Sequence, residues 1–165
     1  MAKLNVKKRY SIRKSRLADL RKKLKDEIGD SADIFLSGNV EIAETDSDFI
    51  IYLVNRKPAV IEKDGWVFPT LRAVVENPID SRKVVVDSGA VAYMVKGADL
   101  MRPGIVDFTG DIKEGRPFVI TEEKHNKPLS IAVALMGSED ILVSDAGKVG
   151  KNIHYVGDDL WNLEI

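Results

Sequence analysis

The chain has 165 residues, enough for one ordinary domain or two small ones, and its 44% hydrophobic and 31% charged residues are the balance of a soluble globular protein. The absence of cysteine excludes a disulfide framework and a thiolate metal site, and no apolar run is long enough to span a membrane. The formal net charge of −1 conceals a division: residues 1–25 carry eleven Lys/Arg against one acid, Asp19, while the remaining residues carry fourteen against twenty-five.

Leu4 and Val6 lie at strand spacing in a basic opening segment that lacks the apolar stretch of a secretory signal, so the expected location is cytoplasmic. Ser11 is placed to cap a helix in which Ile12, Leu17, Leu20, Leu24 and Ile28 fall near one face and Gly29 ends the run. The opposite face carries Arg13, Lys14, Arg16, Arg21, Lys22, Lys23 and Lys25, a one-signed surface suited either to solvent or to a polyanion. A helical turn over 30–36 follows. Strands are then predicted at 40–44, 49–54, 58–61 and 66–68, with Asn55-Arg56-Lys57 and Asp64-Gly65 as turns, giving an antiparallel meander for the first helix to cover. Pro69 suits the first position of a short helix over 70–76, and Asn77 to Arg82 reads as the junction between two modules.

The next stretch organises the second half. Val84-Val85-Val86 reads as a buried strand, and Asp87 and Ser88 are both good N-caps. Ala90, Val91, Met94, Val95 and Ala98 form one helical face, and Gly97 ends the helix in the left-handed conformation. Pro103-Gly104 fits the centre of a type II turn. Gly89-Ala90 and Gly97-Ala98 keep both helix ends small, leaving room for another backbone. Lys96 and Arg102 are expected to project from the same rim, with a phosphate backbone between them. Further strands are predicted at 106–108, 118–121, 129–136, 141–143 and 153–156, with an exposed charged loop over 122–128. Several short strands with regular turns suggest a small barrel.

These residues carry a resemblance. Asp87-Ser88-Gly89-Ala90, followed by Gly97-Ala98-Asp99-Leu100-Met101-Arg102-Pro103-Gly104-Ile105, resembles the core signature of the PUA domain. That domain is a small RNA-binding pseudo-barrel of pseudouridine synthases, archaeosine transglycosylases and translation factors. Residues 152–161, from Asn152-Ile153-His154-Tyr155 to Leu160-Trp161, resemble its closing strand and the segment after it. Trp66-Val67-Phe68-Pro69-Thr70-Leu71-Arg72 resembles the segment preceding it in translation-associated factors related to the malignant T-cell amplified sequence proteins, a subfamily with archaeal members.

The resemblance implies an α+β fold, with a pre-PUA module of antiparallel sheet and basic helix over residues 1–80 and a PUA pseudo-barrel over 81–165. It implies binding of structured RNA, ribosomal RNA or the tRNA acceptor region, by a ribosome- or translation-associated factor on the small ribosomal subunit. A protein carrying an initiation-factor-like domain is an expected partner in trans. The implied RNA contacts are Ser88, Gly89, Ala90, Lys96, Gly97, Ala98, Arg102, Pro103 and Gly104, with Arg13, Arg16 and Arg21 as an auxiliary basic helix. The acidic body keeps a second reading open, a protein-interaction adaptor with weak or no RNA affinity of its own.

No catalytic residue, cofactor or metal site is expected. His125 lies in a Lys/Asn/Pro loop, and His154 lies in a strand where packing or hydrogen bonding is its ordinary role. No serine sits in a nucleophile-elbow pattern. Gly147-Lys148-Val149-Gly150-Lys151-Asn152 fails as a phosphate loop, because Asp145 stands where its first glycine belongs and Asn152 where its Ser/Thr belongs. Asp158-Asp159 reads as a cap on a final turn, with Trp161 in the core.

Overall fold

The computed structural model describes residues 4–164; Lys3, counted above in the basic segment, lies outside them. The chain forms two compact units, one running to Pro78 and joined by the stretch from Asn162 onward, the other spanning Ile79–Trp161.

In the first unit, β1 (Val6–Ser11) leads to α1 (Lys14–Ile28), a 3-10 turn over Gly29–Ser31 and α2 (Ala32–Phe35). Then come β2 (Val40–Thr45), β3 (Ile50–Val54), β4 (Lys57–Lys63), β5 (Trp66–Pro69) and α3 (Leu71–Glu76). The five strands pair antiparallel in chain order. Two of their hairpins are two-residue turns with positive φ at both positions, Asn55 at 50° and Arg56 at 72°, then Asp64 at 50° and Gly65 at 83°. This is the mirror-image turn whose twist matches that of the flanking strands. α1 buries Leu20, Leu24 and Ile28 and packs on β5. Two local expectations are corrected. Ser11 ends β1 rather than capping α1, whose N-cap is Arg13 without a side-chain bond. Pro69 ends β5, and the cap of α3 is Thr70, whose hydroxyl accepts the Ala73 amide at 3.3 Å.

The second unit contains β6 (Lys83–Val86), a 3-10 turn over Ser88–Ala90, α4 (Val91–Met94), β7 (Leu100–Met101) and a 3-10 turn over Arg102–Gly104. It continues with β8 (Ile105–Phe108), β9 (Pro117–Glu122), β10 (Pro128–Ala134), α5 (Ser138–Val143) and β11 (Lys148–Tyr155). Its strands curl into one mixed sheet of order β7-β11-β10-β9-β6-β8, in which only the β6–β9 pair is parallel among the described residues. Val84, Val86, Phe118, Ile120, Ala132 and Val149 fill the concave interior. Arg82, just before β6, is buried at φ 49°, its amide donating to the Asp111 carboxylate at 3.0 Å.

Three expectations change here. Residues 141–143 are the end of a helix, not a strand. Only Ile141 of the three is buried, while Leu142 and Val143 are 72% and 82% exposed. The 122–128 loop is exposed over 123–127 as expected, but Glu122 is buried and its carboxylate accepts the amides of Lys124, His125 and Lys127. The Lys127 amide leads the forces that hold this carboxyl below its usual range. Trp161 is half-buried.

Candidate nucleic-acid interface

The site is built where β6 ends. Asp87 is extended, and its carboxylate accepts the Ala90 amide at 3.0 Å, an N-cap as the sequence predicts. The helix that follows is short. The Ala98 amide donates to the Tyr93 carbonyl and the Gly97 amide to that of Met94, both at 3.1 Å, with Gly97 at φ 87°. This pair of bonds is the Schellman end of a helix, and it requires a residue free to adopt positive φ. A second constraint acts on Gly97, since a Cβ there would stand 2.7 Å from Cε1 of Tyr155 on β11.

The chain then pairs with β11 as β7, Leu100 opposite Gly150 and Met101 opposite Lys148. It turns through Arg102–Gly104, and the Gly104 carbonyl accepts the Asp87 amide at 3.0 Å, bringing the two ends of the segment together. Gly104 is absent from the left-handed region, so Pro103-Gly104 is a 3-10 turn and not the type II turn expected. A Cβ there would meet the Ala90 Cβ at 3.4 Å, an ordinary contact, so the space at Gly104 admits a small side chain.

Between these pieces lies a cleft of about 410 Å³. Gly89-Ala90 and Pro103-Gly104 form walls, Tyr93 and Met101 are 65% and 45% exposed beside it, and Asp87 and Asp99 bring carboxylates to its lining. Of the sequence-predicted contacts, the structure places Gly89, Ala90, Ala98, Pro103 and Gly104 along this cleft, with Ser88, Lys96, Gly97 and Arg102 outside its lining. Ser88 and Lys96 are exposed.

Arg102 departs from expectation. Its Nε donates to the Ile141 carbonyl at 2.8 Å, its second nitrogen to the Ile105 carbonyl at 3.4 Å, and its guanidinium stands 6.0 Å from the Phe108 ring centroid. The guanidinium therefore ties α5 to the turn, while Lys96 projects into solvent. Asp99 pairs with Lys148 at 3.3 Å. Arg102→Gln should accordingly lower the thermal midpoint by roughly 4 °C, while Lys96→Gln leaves it within about 1 °C. Calorimetry of the two variants checks this, and equal midpoints would return Arg102 to the surface.

Tyr93 and Met101 are not among the contacts that the sequence singles out. The signal was present in the pattern, for Tyr93 is an aromatic lying off the predicted apolar face of Ala90, Val91, Met94, Val95 and Ala98. An aromatic in that position has no core to enter.

The auxiliary helix is also redistributed. Arg16 turns inward, donating to the Tyr52 hydroxyl at 3.4 Å with its guanidinium 5.9 Å from that ring's centroid. Burial, with the Glu62 carboxylate accepting from the hydroxyl at 2.7 Å, pushes the Tyr52 phenol up to about 12. Arg21 stays exposed while donating to the Leu36 carbonyl at 3.4 Å. Arg13, Lys14, Lys22, Lys23 and Lys25 remain exposed on α1.

His154 is 1% exposed and donates from Nδ1 to Asp158 at 2.9 Å, and the same carboxylate accepts the Tyr155 and Trp161 amides. Asp158 is thus the cap that the sequence predicts. Among the described residues no group of three or more His, Cys, Asp or Glu side chains is placed to hold a metal ion, and no helix is long and apolar enough to cross a membrane.

Comparison with known proteins gives the PUA domain over residues 82–156 and a domain of unknown function, DUF1947, over 5–77. The chain is 41% identical to the uncharacterized protein MJ1432 of Methanocaldococcus jannaschii, an alignment covering 98% of this chain and 99% of that one. It is 28% identical to Translation machinery-associated protein 20 of Saccharomyces cerevisiae, over 76% of this chain and 73% of the relative. Among solved structures, a hypothetical protein, PH0734.1, from the hyperthermophilic archaeon Pyrococcus horikoshii superposes with a TM-score of 0.86 at 35% identity, covering 94% of this chain and 98% of that one.

Proposed function

From the premise that the chain belongs to the archaeal PUA-protein family related to Translation machinery-associated protein 20 and to the malignant T-cell-amplified sequence proteins, we propose that it binds structured RNA as a translation-associated factor. The cleft beside Tyr93 takes an unpaired nucleobase at an RNA end or loop. The observation that carries this reading is the exposed Tyr93 ring bordering a cleft whose walls are Gly89-Ala90 and Pro103-Gly104. An aromatic face offers stacking to any base, and small residues let a sugar and its base come close. Among the described residues no cation lines the cleft itself, which suits a base better than a phosphate. Lys96 outside the cleft and the exposed cations of α1 supply phosphate attraction. The tRNA acceptor end and ribosomal RNA are the candidate targets, the small ribosomal subunit the candidate site of action. A protein bearing an initiation-factor-like domain is the candidate partner. The work done is binding, not catalysis, and its place is the cytoplasm.

The test is titration of a tRNA transcript and of the same transcript lacking its unpaired 3′ end. Tyr93→Ala should weaken binding of the intact transcript by about 1–3 kcal/mol, the worth of one stacked base, and should matter little for the shortened one. Equal binding of both transcripts by both proteins would remove the cleft from RNA recognition.

One observation favours the adaptor reading as a second. Leu142 and Val143 end α5 almost fully exposed, in a stretch that also exposes Glu139, Asp140 and Asp145. An acidic, apolar surface repels RNA and suits a protein. Retention of protein partners after RNase treatment separates the two readings.

A further inference from the structure

One wall of the cleft is held from behind by a side chain outside its lining. Asn152, on β11, donates from Nδ2 to the Met94 carbonyl and to the Ala98 carbonyl, both at 3.1 Å, and its backbone amide donates to Asp99 Oδ1 at 3.1 Å. Met94, Ala98 and Asp99 all line the cleft. The Oδ1 of the same amide is buried and has no hydrogen-bond partner. A buried acceptor left unmade opposes folding, so an amide at this position is explained by its donor end. The orientation is determined by the surroundings, because the reversed amide would set an oxygen against two carbonyl oxygens. Leucine, of similar size, would remove the orphaned acceptor but make neither bond, and aspartate would bring acceptors alone.

We infer that Asn152 is a positioning residue for RNA recognition, fixing the Met94-to-Asp99 wall so that the cleft is formed before the RNA arrives. The inference rests on the RNA-binding reading of the cleft. Its physical basis is that a ligand pays less to bind a surface already held in place. After the Schellman turn the chain has no regular structure of its own until β7, and Asn152 bridges that gap at both ends.

The test compares wild type, Asn152→Leu, Asn152→Ser and Tyr93→Ala, with the Asn152→Leu/Tyr93→Ala double variant, on the intact tRNA transcript at several salt concentrations. Asn152→Leu should weaken binding by roughly tenfold, the scale of one or two neutral hydrogen bonds. Asn152→Ser, which keeps one donor, should weaken it less. Neither should change the slope of log affinity against log salt, because no phosphate contact is lost. The double variant should bind more tightly than the product of the two single losses predicts, since both act on one cleft. A lowered thermal midpoint with unchanged affinity below it would make Asn152 a purely structural residue and overturn the inference, as would full additivity with Tyr93→Ala. If Asn152→Leu does not fold at the assay temperature, Asn152→Ser carries the same comparison. Weak binding by Tyr93→Ala beside wild-type binding by Asn152→Leu overturns this inference alone. Wild-type binding by Tyr93→Ala overturns the cleft reading and this inference with it.

Discussion

Gly97→Val should lower the free energy of unfolding by roughly 3 kcal/mol, from two causes that add. The first is conformational. Gly97 holds φ at 87°, a region in which a β-branched residue is a genuine outlier. The second is steric, since the new Cβ would stand 2.7 Å from Cε1 and 3.1 Å from Cζ of Tyr155. Relieving that contact requires the Tyr155 ring to rotate or shift, because the atoms met are at its outer edge. Gly65 separates the two causes. It has a similar φ of 83°, but nothing within 4 Å of its would-be Cβ. Gly65→Ala therefore reports strain alone, and Gly97→Ala reports strain plus collision. Denaturant midpoints of the three variants check the expectation. Equal losses in the two alanine variants would show that Tyr155 moves aside at no cost.

An effect of similar size is expected at Asp158. Its carboxylate, 8% exposed as a residue, accepts three donors: His154 Nδ1, the Tyr155 amide and the Trp161 amide at 2.9, 2.9 and 2.8 Å. Asp158→Ala removes this shared carboxylate from all three bonds, which should cost about 3 kcal/mol at neutral pH. The loss carries a pH signature. Burial pushes the Asp158 carboxyl up, but the imidazole of His154 and the two amides outweigh it and hold the group below its ordinary 3.8. A carboxyl depressed by folding contributes stability that is present above the unfolded value and lost as pH falls through the folded one. Glu122, depressed by the Lys127, His125 and Lys124 amides, acts in the same direction. Wild type should therefore lose stability on acidification below about pH 4, and Asp158→Ala should lose less over that interval. Thermal midpoints measured from neutral pH downward test this. Parallel curves for the two proteins would show that the Asp158 carboxyl titrates alike in the folded and unfolded chains.

What was legible in the sequence is what short-range chemistry dictates. Asp64-Gly65 announces a hairpin because few residues tolerate the two left-handed positions of the turn. Asp87 announces a cap because its acceptor reaches an amide three residues on. Gly97 announces a helix end because the bonds closing that helix span at most five residues. Strands β2 to β6, β9 and β10 followed from apolar and β-branched runs broken by such turns, whereas β7 and the first half of β11 did not. Residues 141–143 were misread for the converse reason. Three apolar residues in a row suit a buried strand equally well, and only the packing of Ile141 beneath exposed Leu142 and Val143 reveals a helix end.

The direction of the long cations was not legible. Arg102 and Arg16 read as surface charge, and each one's partner in the fold lies far along the chain, 39 and 36 residues away. The cleft is of the same kind. The sequence by itself determined the hairpin turns at 55–56 and 64–65, the Asp87 cap, most of the strands, the small residues at both helix ends and the family, because each depends on groups a few residues apart or on an ordered set of motifs. Only the tertiary structure decided that Tyr93 stands beside a cleft, that Arg102 braces it and that Asn152 holds its wall. Those roles depend on which distant carbonyls the folding of β11 and α5 brings within hydrogen-bond reach, and no local spacing encodes that distance.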